Sequence, residues 1–332
     1  MTNQLRYITR AILAAILMLS CSENIIPEEQ EYAISMTASS ADMNTSRALI
    51  TNNGELQSTK LGVGVYAYKA VNSNKTMVFN NTELTYNTAT KVWDYSPTRY
   101  WDKAATVYRF LAYSPYSTSN ISYNTNNHTL TISDIPYWQV IDNEVVDYLV
   151  AKSSGSAESY LNNPTSTAVP LSFSHILSQL VINIKKDANL SQTYLLKQVE
   201  YLNVPQGGDA KATYTLPQEG TATMSEITLL NADATLTQFK KDEGETVRTG
   251  NISLPHLVVP FTLTNDKEVQ VKVTYTVAGT ERNKTVDTGI TQLEAGKRYE
   301  LTLTFKGADV SFGMVVKKWE DVDVDEDPKY NW

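Results

Sequence analysis

A chain of 332 residues has room for about two domains of ordinary size. Hydrophobic residues make up 42% and charged residues 19%, which excludes general disorder. A formal net charge of -8 argues against a nucleic-acid partner, which needs clustered Lys and Arg, and a single cysteine excludes an internal disulfide or a cysteine-rich metal site.

The N-terminus reads as an address. Arg6 and Arg10 precede the apolar run Ala11–Leu19, which is too short for a membrane-spanning helix but suits the core of a signal peptide, residues 1–20. The lone cysteine, Cys21, follows at once after Leu19 and Ser20. This arrangement resembles a bacterial lipobox, with Met18 where leucine is usual. In lipoproteins that cysteine is acylated, so the expected hold on the outer membrane is a lipid anchor. A signal cut nearby with an incidental cysteine is the plain alternative. The acidic stretch after Cys21, with Glu23, Glu28 and Glu29, resembles the export signal of bacterial surface lipoproteins.

Residues 21–47 form a tether and leader. Tyr32–Thr37 alternates weakly and is expected to be a first strand. Small polar residues fill Ala38–Ser46, and then come Arg47 and Ala48. An arginine in such a segment is accessible to a trypsin-like protease, and from the residues alone it also reads as an ordinary surface arginine. Lys60 and Arg99 are poorer candidates because each lies closer to expected strands.

Period-two alternation dominates the rest. Val63, Val65 and Ala67 share a face, as do Tyr108, Phe110 and Ala112, then Leu180, Ile182 and Ile184, then Val269–Val277, then Tyr299, Leu301, Leu303 and Phe305. Ser117–Asn120, Asn124–Asn127, Pro205–Asp209, Leu216–Gly220 and Asp242–Glu245 are expected turns. The class is all-β, with antiparallel sandwiches favoured over one large barrel. The best internal break is Ser153–Pro164, which divides the chain into a sandwich domain at 48–165 and a second at 166–332.

Near the C-terminus, Val310, Phe312, Met314 and Val316 alternate, and Val322 and Val324 alternate again. Either run completes its own domain or serves as a donor strand for another molecule's sheet. The acidic tail Asp321–Asp327 fails the calcium-loop pattern, because Glu326 and Trp332 stand where glycine and glutamate are required. No catalytic motif is present, and His128, His175 and His256 lie far apart in sequence. Nothing calls for a cofactor or metal, and no enzymatic role is expected. Trp93, Trp101 and Trp138 would be stacking platforms in a rival reading, a monomeric glycan-binding surface lipoprotein.

Four segments resemble a known family. Tyr100-Trp101 followed by Tyr108–Pro115 resembles the W…Y-x-F-x-A-Y-x-P block of the Bacteroidales fimbrillin-like proteins. Asp147–Ala151 is similar to their D-x-L-V-A strand, and Val169–Leu180 to their V-x-L-x-F-x-H-x-L-S-x-L block. Gly296–Leu303, then Trp319-Glu320-Asp321, resembles their closing stretch. The resemblance implies a type V pilus subunit with two tandem transthyretin-like β-sandwich domains behind a lipoprotein signal peptide. It implies trimming after Arg47 by a trypsin-like surface protease, which releases the leader with the first strand. A strand from a neighbouring subunit then fills the groove, at the cell surface, in a fimbrium that meets a host or bacterial ligand.

Overall fold

Alternating residues become strands throughout. The computed structural model describes residues 32–40, 56, 62–126, 128–140, 145–156, 158–159, 162, 168–204, 210–215, 224–225, 234–263, 267–307 and 309–318. The chain divides into Met1–Ala33, of which only Tyr32 and Ala33 are described, and Ile34–Trp332. All that follows concerns the second unit.

Among the described residues the regular elements are strands, as expected for an all-β chain. The first ten are β1 Ser35–Ser40, β2 Val63–Val71, β3 Asn74–Asn87, β4 Val92–Asp94, β5 Val107–Ser114, β6 Ile121–Asn124, β7 Thr129–Ile135, β8 Trp138–Val140, β9 Leu149–Gly155 and β10 Ala168–His175. Next come β11 Ser178–Lys186, β12 Tyr194–Val204, β13 Ala210–Thr215, β14 Met224–Ser225, β15 Ala234–Val247 and β16 Ile252–Val258. The last six are β17 Phe261–Thr262, β18 Gln270–Val277, β19 Thr280–Asp287, β20 Gln292–Leu293, β21 Lys297–Lys306 and β22 Asp309–Lys318.

A seven-stranded sheet runs β1-β10-β9-β5-β2-β3-β4. Its two outermost strands, β1 and β4, lie against each other, so the sheet curls around its own core. Val63, Val65 and Ala67 of β2 and Tyr108, Phe110 and Ala112 of β5 fill that core, as their alternation predicts. The intervening residues are buried too. Tyr66, Leu111 and Tyr113 join a separate cluster with Leu130 and Ile132 of β7, which covers the opposite face. Gly64 makes room for this packing: a Cβ there would stand 2.3 Å from the Tyr113 ring, which lies across the bare backbone.

The later strands make a sandwich. One sheet is β22-β21-β11-β16-β8 and the other is β15-β12-β18-β19. Leu180, Ile182 and Ile184 of β11 and Tyr299–Phe305 of β21 meet Tyr194–Tyr201 of β12 and Val271–Val277 of β18 in one core. β11 and β21 pair in parallel over eight residues, while β12 and β18 are antiparallel.

Three expectations about boundaries change. Asp242–Glu245 is not a turn: β15 continues through it as a wide bulge between the Leu196↔Glu245 and Gln198↔Lys240 pairs. Gly244 sits there at φ 79°, and Lys241 ion-pairs with Glu245 at 2.7 Å across the bulge. Ser153–Gly155 is strand, because β9 pairs those residues with Tyr108–Phe110. The first strand runs Ser35–Ser40 instead of Tyr32–Thr37, because small Ala38 is itself a buried core residue. β10 follows the Ser153–Pro164 stretch in sequence yet pairs with β1 and β9 in the seven-stranded sheet.

Candidate functional site

The two terminal strands each lie at the outer edge of a sheet. β1 borders β10 in parallel register, from Ser35↔Ala168 to Ser40↔Phe173. Its alternation is complete: Ile34 is 1% exposed, Met36 3% and Ala38 6%, while Ser35 and Thr37 face solvent. The buried three join the core of the curled sheet with Phe79, Phe110, Leu171 and Phe173. Full burial of Ile34 and Met36 contributes about 1.5–3 kcal/mol each as an upper bound.

Two backbone bonds fix the start of this strand. The Ile34 amide donates to the Arg99 carbonyl at 2.8 Å, and the Tyr95 hydroxyl donates to the Ile34 carbonyl at 2.5 Å. The Tyr95 ring meets Phe79 edge-on at 5.1 Å, and Arg99 Nε donates to the Val78 carbonyl at 3.1 Å. Burial pushes the Tyr95 hydroxyl above its ordinary pKa, so it stays protonated and keeps donating at neutral pH. The segment 95–99 is therefore a clamp on β1. Arg99, weighed in the sequence as a cleavage site, is part of that clamp.

At the other end, β22 pairs antiparallel with β21 over its whole length. Val310, Phe312, Met314 and Val316 stand opposite Phe305, Leu303, Leu301 and Tyr299. Among the described residues no strand lies beyond β22 in its sheet, and Met314 is 39% exposed although its partner Leu301 is fully buried. Cys21, Arg47, Ala48, Val322 and Val324 lie outside the described residues.

The remaining candidates are packed inside. Trp93 and Trp101 are buried in the curled core and offer no open platform, and the half-buried Trp138 packs on Tyr201 at 5.1 Å. His128 stacks on Tyr68 at 3.9 Å, and Tyr123 meets its Nδ1 at 3.1 Å. His256 is packed beside Trp138 and Tyr201, and burial lowers its pKa to about 4. His175 pairs with Asp147 at 3.0 Å in a nearly closed site. Among the described residues no three His, Cys, Asp or Glu side chains gather as a metal site. The clamp was missed in the sequence because Tyr95 and Arg99 act through backbone groups 61 and 65 residues away, which no local pattern marks.

Solved structures share this architecture. A fimbrial protein from Bacteroides vulgatus ATCC 8482 superposes with a TM-score of 0.59 at 16% identity, covering 87% of this chain and 100% of that one. A candidate cell adhesion protein from Bacteroides ovatus ATCC 8483 gives 0.53 at 14% identity, covering 89% and 100%. Another from Bacteroides uniformis ATCC 8492 gives 0.51 at 19% identity, covering 88% and 99%. At these identities the likeness shows the fold. No curated protein matches the sequence. The fimbrillin-like family matches residues 46–319, most of the length, and the chain belongs to that family.

Proposed function

We propose that this protein is a structural or adhesive subunit of a surface fimbria. In this reading it is exported as a lipoprotein through Cys21, trimmed after Arg47 by a trypsin-like protease, and joined to related subunits by β-strand exchange. It comprises two tandem transthyretin-like sandwiches and carries out no catalysis. The observation that supports the exchange is the placement of β1: an edge strand, parallel to β10, whose inward side chains belong to the core of the curled sheet.

Losing β1 would expose the wall of β10 and empty the places of Ile34, Met36 and Ala38. A strand from another subunit restores both the main-chain bonds and the apolar contacts. Residues 309–332, which include the edge strand β22, supply the donor. The contact is head to tail, so it generates an open filament. Burial of a few apolar side chains minus the cost of association leaves modest affinity, and durability then rests on slow unfolding of the completed sheet.

The test is protease treatment of the full chain, followed by electron microscopy and N-terminal sequencing. Fibres are expected from the wild type with a new N-terminus at Ala48. None are expected from Arg47→Ala or from a chain lacking residues 309–332. A trimmed protein that stays monomeric at high concentration overturns the reading.

A further inference from the structure

A cleft of about 670 Å³ opens beside the clamp on β1. Its floor is the bulged stretch of β3, with Asn80, Glu83 and Thr85, and its walls are Tyr95, Arg99 and Tyr116. The bulge arises because β3 places two residues, Asn80 and Asn81, between Phe79 and Thr82 where β2 places one, Tyr66, between Ala67 and Val65. Asn81 adopts φ 48° there, a conformation asparagine tolerates.

The walls are set before any ligand arrives. Asn81 accepts from the Tyr113 hydroxyl at 2.5 Å and donates to the Ser117 carbonyl at 3.0 Å. Tyr95 is held by Phe79 and Ile34, and Arg99 by Val78. Gly62, at φ 65°, lets the floor meet the Tyr116 wall: a Cβ there would lie 2.8 Å from Glu83 Oε1 and 3.2 Å from Tyr116 Cβ. Asn80, Glu83 and Thr85 stay exposed. Its volume lies in the range of small-molecule sites, and it is an open groove, about half polar, that would cover one side of a ligand and leave the other in water.

The chemistry narrows the ligand. Glu83 and Asp94 outnumber Arg99, whose Nε is already committed, so the cleft disfavours anions. An amide, a hydroxyl and a carboxylate within one cleft match the paired donors and acceptors of sugar hydroxyls. Two partly exposed tyrosine rings offer flat apolar surface for the C–H face of a pyranose. We infer that this cleft, between the β3 bulge and residues 95–99, binds a neutral oligosaccharide.

The inference stands apart from the assembly reading, because Asn80, Glu83 and Tyr116 take no part in pairing β1 to β10. The test titrates the full chain, by calorimetry and ligand-observed NMR, with maltotriose, N,N′,N″-triacetylchitotriose, lactose and 3′-sialyllactose. Saturable binding of at least one neutral sugar is expected, weakened tenfold or more by Asn80→Ala, Glu83→Gln and Tyr116→Ala. Should Tyr116→Ala fold poorly, the two exposed substitutions carry the test. No binding by any neutral sugar, binding untouched by these substitutions, or 3′-sialyllactose bound as well as the neutral sugars overturns the inference. A protein that polymerises yet binds no sugar sinks this inference and leaves the assembly reading standing.

Discussion

His175 and Asp147 meet across 28 residues of sequence, with Nδ1 3.2 Å from one carboxylate oxygen and 3.0 Å from the other. Both side chains are almost wholly buried. The pair ties the end of β10 to the segment entering β9, beside the bond from the Ile176 amide to the Tyr148 carbonyl. Ile176 and Leu177 then carry the chain from the seven-stranded sheet into β11 of the five-stranded one. The far side of that passage is held by Gly296 donating to Leu177 and by Ser178 Oγ donating to Glu294. The Asp of one family-like block and the His of another are thus one structural unit.

Removing Asp147 takes away the carboxylate that His175 Nδ1 meets in a closed site. Asp147→Ala is expected to cost about 1–3 kcal/mol, read as a lower denaturant midpoint. The double substitution Asp147→Asn with His175→Gln keeps a hydrogen-bonding pair and should recover part of the loss. Equal losses in the single and double variants would count against the pair.

His256 makes stability depend on pH. Burial lowers its pKa from 6.5 to about 4, so the unfolded chain takes up a proton that the folded protein refuses. Its contribution is present above pH 6.5 and is lost as the pH falls toward 4, by about 3 kcal/mol in full. His256→Phe is expected to flatten the stability profile across that window, measured by denaturation at successive pH values. An unchanged slope would contradict the assignment.

The clamp can be loosened without touching the core. Tyr95→Phe deletes the bond to the Ile34 carbonyl, worth about 1 kcal/mol. Hydrogen exchange in a peptide covering residues 34–40 should then quicken by roughly fivefold, with the later sandwich unaffected. Exchange at the wild-type rate would show that the bond does not hold β1.

The two terminal strands should differ in what truncation costs. Met36→Ala removes a fully buried side chain and is expected to destabilise by about 2–5 kcal/mol. Met314→Ala, at a partly exposed edge position, should change stability by about 0.5 kcal/mol or less. Thermal unfolding of both variants checks the contrast, and similar losses would refute it.

The sequence carried the fold class through strands such as β18 and β21, where alternation runs unbroken and the inward face is uniformly apolar. It misled where polarity and strand coincide. Asp242-Glu243-Gly244 carries the composition of a turn, but β12 holds β15 on both sides of it, so the residues bulge without leaving the sheet. Ala38-Ser39-Ser40 has the look of a linker, yet β10 pairs with it. The edge strands were visible as alternating runs, whereas the clamp, the cleft and the His175–Asp147 pair were not. Those features join residues far apart in the chain, and the clamp works through backbone carbonyls, which carry no sequence signature.

β1 touches β4 as well as β10, so it is wedged between two walls and cannot be peeled from one side. Its departure must release the ladder, the clamp and three apolar side chains in one event. In the assembly reading proposed above, such a strand leaves rarely on its own, and whichever occupant then fills its place is retained long after the protease has gone.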